Sequence, residues 1–390
     1  MKIIAKNIDL FKVLAYILQK IFLHFFESKK YNYFSFKINN PTSSAESICL
    51  WWKELEGESM KVAINGFGRI GRQAFKVLQE KYPEVEVVAI NDLTDIKTLA
   101  HLLKFDSNYG RYKAEITPGK DFIDVDGKRT AVFEKKNPEL LPWKLLEVDV
   151  VLECTGLFTD GINAQTHLRA GAKKVLISAP AKNHDITIVL GVNEEKYNKG
   201  KHHIISNASC TTNGLAPIVK VLVDNFGLKK GFLTTVHSYT NDQKVLDLPH
   251  EDLRRARAAA LNIIPTTTGA AKALKEVIPE VAGKMDGIAL RVPTPTVSVN
   301  DLTIELTKET TAEKITEKMW EAAKGKMKGY LFVATDPLVS MDYKGSEYSA
   351  IYDSLLTKNI GNNFFKIIGW YDNEWGYSCR LAELAVFIGQ

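Results

Sequence analysis

Residues 60–72 read MKVAINGFGRIGR. The apolar run at 61–64 predicts a short buried strand, and residues 72–81 have helical composition, so three glycines fall in the turn between. Gly66, Gly68 and Gly71 fit the spacing G-x-G-x-x-G. The first permits a tight turn, the second lets a pyrophosphate approach the backbone, and the third allows close helix–strand packing. The helix N-terminus would then offer free N–H groups and a positive dipole end to phosphates. A second β-rich run, 85–90, ends in Asn91-Asp92. Asp92 there either accepts both hydroxyls of an adenosine ribose and repels a 2′-phosphate, or caps the next helix; the first reading selects NAD over NADP.

Outward from this turn the alternation continues. Strands are expected at 148–153, 174–178, 186–191 and 203–206, with a helix at 163–170. The expected fold is therefore α/β, with a Rossmann-type doubly wound dinucleotide-binding domain. Cys154 reads as a small apolar residue at a strand end. The chain of 390 residues is long enough for two domains. Apolar residues at 45% and charged residues at 25% exclude wholesale disorder. A net charge of +5 is too small and too dispersed to argue for nucleic acid. Four cysteines without a C-x-x-C pair exclude a disulfide scaffold and a cysteine-type zinc site, no metal site is expected, and free thiols suit the cytoplasm.

Residues 1–59 do not match the rest: they contain no Arg and many aromatics. The stretch 8–26 is mostly apolar but is interrupted by Asp9, Lys12, Gln19, Lys20 and His24. A spanning helix wants roughly 20 mostly apolar residues, and a central Lys costs about 2.5–3.5 kcal/mol. Neither a signal-peptide cleavage site nor an Arg-rich presequence is present. The expectation is that translation starts at Met60 and that 1–59 is an upstream region read in frame; a membrane role arises only if that segment is expressed.

Cys210 lies between a strand-like run, 203–206, and a helical one, 211–223. At a helix N-terminus the dipole and unpaired N–H groups favour a thiolate, and the same N–H groups could hold an oxyanion. Polar neighbours on both sides argue against an inert buried thiol. Among eight histidines, His237 ends the strand-like run 232–236 and precedes a polar stretch, which makes it the candidate base. His202 and His203 would point to opposite faces of a strand, and His101, His167, His184 and His250 read as surface or packing residues. The arginines at 254, 255, 257 and 291 and the Thr/Gly run 266–269 have the chemistry of phosphate recognition, although the cluster 254–257 could equally be a solvated helix face or a subunit contact.

Residues 60–390 resemble phosphorylating glyceraldehyde-3-phosphate dehydrogenases of the NAD-dependent glycolytic type from end to end. The strings that carry the resemblance are NGFGRIGR (65–72), SNASCTTN (206–213), TTVHSYTNDQ (234–243), NIIPTTTGAAK (262–272), RVPTPTVSV (291–299) and WYDNEWGYS (370–378). The resemblance implies oxidation of glyceraldehyde 3-phosphate to 1,3-bisphosphoglycerate with NAD and inorganic phosphate. Cys210 would form a thiohemiacetal and then a thioester, with His237 as base. It implies Thr240, Arg255 and Arg291 for the substrate phosphate, and Ser209, Thr211, Thr268 and Gly269 for the attacking phosphate. Arg69, Ile70, Thr155 and Ser178 would contact the cofactor, Asn373 would hold the nicotinamide amide, and Tyr377 would pack nearby. It further implies an NAD domain at 60–209 with 373–390, and an α+β catalytic domain at 210–372 with a mainly antiparallel sheet. A homotetramer is implied as well, with loop 238–264 at a subunit contact. Leu248-Pro249 matches the NAD-preferring members. One departure is Gly214, where the family often has a second Cys; no effect on the main chemistry is expected, and a redox lock with Cys210 is lost. Two competing readings are erythrose-4-phosphate dehydrogenase on the same scaffold and a non-enzymatic, membrane-associated binding role.

Overall fold

The strand–glycine–helix unit forms as β1 (Met60–Asn65) and α1 (Arg69–Lys81) in a computed structural model that describes residues 59–390. The readings made for residues 1–59 lie outside the described residues. The helix starts three residues earlier than its composition indicates, so Gly71 is inside it. A glycine is a poor helix former, and its presence here answers a packing demand: a Cβ on Gly71 would stand 2.2 Å from the Gly66 carbonyl oxygen.

The chain continues through β2 (Val85–Asn91), α2 (Ile96–Lys104), and a small ribbon of β3 (Phe105–Asp106) and β4 (Gly110–Arg111). It then runs through β5 (Ile116–Pro118), β6 (Phe122–Val125), β7 (Lys128–Phe133), β8 (Val150–Glu153), α3 (Gly161–Arg169), β9 (Lys174–Ile177), β10 (Ile186–Thr187) and β11 (Ile204–Ser206). Nine of these strands form a sheet in the order β10-β11-β9-β8-β1-β2-β7-β6-β5. From β10 to β7 every neighbouring pair is parallel, and only the β7-β6-β5 edge is antiparallel. The strand expected at 186–191 is paired only over its first two residues. Asn193 explains the loss: its side chain accepts the Val189 N–H (2.9 Å) and donates to the Thr187 carbonyl (2.9 Å), taking groups a ladder would use.

The remainder opens with α4 (Cys210–Phe226) and β12 (Leu228–Ser238), then β13 (Ile264–Thr267), α5 (Ala270–Val277), β14 (Met285–Val292), β15 (Ser298–Leu306), α6 (Ala312–Lys324), β16 (Leu331–Ala334), β17 (Ala350–Ile360), β18 (Phe364–Tyr371) and α7 (Trp375–Gly389). Its seven strands form a second sheet, β13-β14-β12-β15-β18-β17-β16. Four of its six neighbouring pairs are antiparallel; β12/β14 and β16/β17 are parallel.

Side-chain alternation decides what each face meets. In β1, Val62 and Ile64 join a core with Leu78, Leu381 and Leu384, so α1 and α7 cover one face; Ala63 joins Trp143 and Val151 on the other. In the second sheet, Leu302, Ile304, Phe365 and Ile367 pack with Leu215, Ile218 and Leu222 of α4. The C-terminal helix thus returns to the first sheet after the second is complete. Among the described residues no helix is long and apolar enough to cross a membrane.

Candidate active site

Cys210 is the first residue of α4, and Ser209 caps that helix by accepting the Thr212 N–H at 3.0 Å. Ala208 just before it holds a left-handed φ of 54°, a conformation disfavoured for a residue with a Cβ. Strain of this kind gathers at functional sites, and Val297, on the loop behind, shows it too with φ 65°.

β12 delivers His237 to the same place, with Nε2 3.5 Å from Cys210 Sγ. The Ser238 carbonyl lies 2.7 Å from Nδ1, and in the tautomer where it accepts that proton the Nε2 lone pair faces the thiol. Arg291 stands opposite His237 in register on β14. Its guanidinium donates to the same carbonyl at 3.0 Å and also reaches His237 Nδ1, to which it donates in the other tautomer. Burial, reinforced by the Arg291 charge, holds His237 down to about 3. Burial also pushes the Cys210 thiol up, against the opposing pull of Arg291 and the Thr211 N–H. Both shifts favour the uncharged partners, thiol and neutral imidazole. The helix-end effect expected from sequence is present, but burial outweighs it.

Tyr371 closes the floor. Its hydroxyl bridges Thr211 Oγ1 (3.0 Å) and Thr235 Oγ1 (2.8 Å), and its ring meets the His237 ring edge-on at 6.0 Å. Gly214 makes room for it: a Cβ there would stand 2.7 Å from the Tyr371 ring. The departure at Gly214 thus has a packing consequence that sequence alone did not indicate. The Thr211 hydroxyl is turned toward Tyr371.

A cleft of about 470 Å³ opens above Cys210 and His237 and is lined also by Arg69, Ile70, Ser178, Ser209, Thr240, Asn373 and Tyr377. It brings together the expected nucleophile, the expected base and five of the expected cofactor contacts. Arg255, Thr268, Gly269 and Arg291 are not part of its lining. Arg255 donates to Asp242 (2.7 Å) and Thr266 (2.9 Å), and the Thr240 hydroxyl also donates to Asp242. Against the cost of burial, the Thr240 hydrogen bond and the charges of Arg291 and Arg255 hold the Asp242 carboxyl below its usual range. A carboxylate thus balances two arginines where an anion is expected. Thr268 and Gly269 lie at the N-terminus of α5, with Thr268 Oγ1 accepting the Ala270 N–H at 3.2 Å.

The glycine turn fits a dinucleotide. Cβ atoms at Gly66 and Gly71 would strike protein backbone at 2.7 and 2.2 Å, whereas one at Gly68 would meet nothing within 4 Å. Two glycines therefore serve the fold, and the middle one bares backbone to open space at the N-terminus of α1. Asp92 accepts the Phe67 N–H (2.7 Å) and the Thr94 N–H (3.0 Å). It does not cap the next helix; Asp95 does, accepting the Thr98 N–H. Thr155 donates its N–H (2.8 Å) and hydroxyl to the buried Glu153, which also accepts from Asn65 (2.5 Å) and pairs with His167 (3.0 Å). Tyr377 donates to the Ala208 carbonyl at 2.9 Å, tying α7 to the strained turn. Cys154 follows β8 directly, its thiol pushed up to about 12 by burial.

Sequence reading missed Glu374, Asn108, Tyr371 and Asp242. Glu374 forms a two-pronged ion pair with Arg69 and accepts from Asn108 (3.1 Å), joining α1 to the start of α7. Position was the one available signal for three of them, since Tyr371 and Glu374 lie within two residues of Asn373 and Asp242 follows Thr240 by two.

The family model for glyceraldehyde 3-phosphate dehydrogenase, NAD binding domain, matches residues 60–161, and that for glyceraldehyde 3-phosphate dehydrogenase, C-terminal domain, matches 209–373. The chain is 56% identical over 331 residues to glyceraldehyde-3-phosphate dehydrogenase 2 of Streptomyces avermitilis, covering 85% of this chain and 99% of that protein. It is 57% identical over 330 residues to glyceraldehyde-3-phosphate dehydrogenase of Geobacillus stearothermophilus, covering 85% and 98%. Against glyceraldehyde-3-phosphate dehydrogenase 1 of Bacillus subtilis the identity is 55% over 332 residues, covering 85% and 99%.

Proposed function

The chain belongs to the glyceraldehyde-3-phosphate dehydrogenase family, and from that premise we propose the chemistry of its cleft: NAD-dependent oxidation and phosphorylation of glyceraldehyde 3-phosphate. The observation that carries this reading is a cysteine sulfur at a helix N-terminus, 3.5 Å from an imidazole nitrogen whose ring partner lies 2.7 Å from a carbonyl. Cys210 attacks the aldehyde carbon as its S–H proton moves to His237 Nε2, and that proton then reaches the new oxygen to give the thiohemiacetal. The α4 N–H groups steady the developing negative charge. His237 Nε2 next takes the hydroxyl proton as the carbon is oxidised to a thioester. Bound NAD supplies the hydride acceptor for this oxidation, and the residues fit to hold it are Gly66, Gly68, Gly71, Asp92, Thr155, Ser178 and Asn373. A phosphate oxygen then attacks the thioester, and the Cys210 thiolate leaves.

Thr240, Arg255 and Arg291 receive the substrate phosphate in this reading, in exchange for the Asp242 carboxylate. Ser209, Thr211, Thr268 and Gly269 receive the attacking phosphate. We take 60–209 with 373–390 as the NAD domain and 210–372 as the catalytic domain, in keeping with the two sheets and the return of α7. A homotetramer in the cytoplasm completes the reading. The names of the three relatives favour the triose phosphate, and nothing in the site favours erythrose 4-phosphate.

Cys210→Ser tests the mechanism. Serine is far less acidic than cysteine and its neighbour His237 is a weak base, so NADH formation from glyceraldehyde 3-phosphate with phosphate should fall to background. Turnover near the parent rate would rule out Cys210 as nucleophile. Running the parent in parallel with erythrose 4-phosphate compares the two aldehydes directly.

A further inference from the structure

Ser298, the buried first residue of β15, sits between the base and the proposed nicotinamide holder. Its Oγ accepts the Ser238 N–H at 3.1 Å. Its own proton is then free to donate, and Asn373 Oδ1 stands 2.9 Å away. The hydroxyl therefore occupies the oxygen of the amide and leaves Nδ2 for the cleft that Asn373 lines. The tie matters because a carboxamide is nearly symmetric in shape: turning it by half a rotation exchanges a donor for an acceptor in the same place. Ser238 is also the residue whose carbonyl holds His237 Nδ1. A single path thus runs from the base, through the Ser238 peptide and the Ser298 hydroxyl, to Asn373.

We propose that Ser298 is a positioning residue that sets the Asn373 amide with Nδ2 toward the cleft, so that Asn373 donates to the carboxamide oxygen of NAD and fixes which ring face meets Cys210. The inference rests on the reading that Asn373 holds the nicotinamide. Without the Ser298 hydroxyl both amide orientations become available, and the second presents oxygen to oxygen.

The test is a double-mutant cycle of Ser298→Ala and Asn373→Ala, reading KM for NAD and the face on which deuterium from 1-deuterated glyceraldehyde 3-phosphate arrives in the NADH formed. Loss of one neutral hydrogen bond predicts a rise in KM of roughly 3–10-fold for Ser298→Ala, with label on the second face. In the Asn373→Ala background the same change should move neither quantity further. Ser298→Cys keeps the shape with a weaker donor, so it should show the same shifts in smaller measure, and it decides the matter should the alanine variant not fold. The proposal is overturned if Ser298 variants leave both quantities unchanged while Asn373→Ala alters them, or if the two effects multiply, which would place the action of Ser298 on His237 instead. An Asn373→Ala variant with parent KM and selectivity would overturn the reading of Asn373 itself.

Discussion

At the scale of single residues, the state of His237 is the most consequential. Burial and Arg291 both disfavour its cation, holding it down to about 3 from an ordinary 6.5. As pH falls below 6.5 the unfolded chain takes a proton that the native site refuses, so stability is lost as pH falls through 6.5 toward 3. Asparagine has no such proton to take. Between pH 7 and 5 the parent should therefore lose about 1–2 kcal/mol more than His237→Asn, read from urea unfolding with the slopes compared. Equal losses would mean that the imidazole titrates in the native state as it does in the unfolded chain, and a smaller loss in the parent would mean a native imidazolium with a thiolate partner. The same variant should slow turnover by roughly 10²–10⁴. Cys210 and His237 could be singled out from sequence because one begins a helix and the other lies next to the end of a strand, each beside polar residues. Ser238, Ser298 and Tyr371 could not, because they act through hydrogen bonds set by register and packing between distant strands.

At the scale of elements, the β1–turn–α1 unit assigns its three glycines to different employers, and the assignment separates folding from binding. Gly68 has φ −73°, which any residue adopts, and faces open space. Gly71 faces the Gly66 carbonyl at 2.2 Å. Gly71→Ala should therefore cost roughly 1–3 kcal/mol through overpacking and lower the unfolding midpoint without NAD present. Gly68→Ala should keep that midpoint within a degree or two and raise KM for NAD instead. The reverse pattern would show that the turn does not cradle the cofactor. The elements of the first sheet were largely legible from apolar runs between glycines and polar punctuation. What escaped were limits set by tertiary contact: the start of α1, where packing overrides glycine's poor propensity, and the end of β10, where the Asn193 side chain replaces a ladder.

At the scale of the whole molecule, the two sheets place their chemistry at a shared cleft but leave apolar surface elsewhere. The outer face of the second sheet exposes Phe232 by 71% on β12 and Ile288 by 50% on neighbouring β14. Loop 239–263 exposes Val245, Leu246, Leu253, Leu261 and Ile263, with Val245 at 83%. Sequence composition could not reveal this, because the same residues would be core if they faced inward; only the burial pattern of β12 and β14 separates the two. Single exposed apolar side chains are ordinary, but a sheet face and a long loop together are what subunit contacts cover. The loop also carries Thr240, Asp242 and Arg255, so its conformation bears on the proposed phosphate site. A homotetramer should accordingly give a sedimentation mass near four times that of the chain at micromolar concentration. Phe232→Asp or Ile263→Asp, each placing a charge where a partner would cover it, should shift the population to smaller species and raise KM for the triose phosphate as the loop loses support. A parent enzyme that sediments as a single chain with full activity would show instead that the loop holds Arg255 by its internal bonds to Asp242 and Thr266 alone.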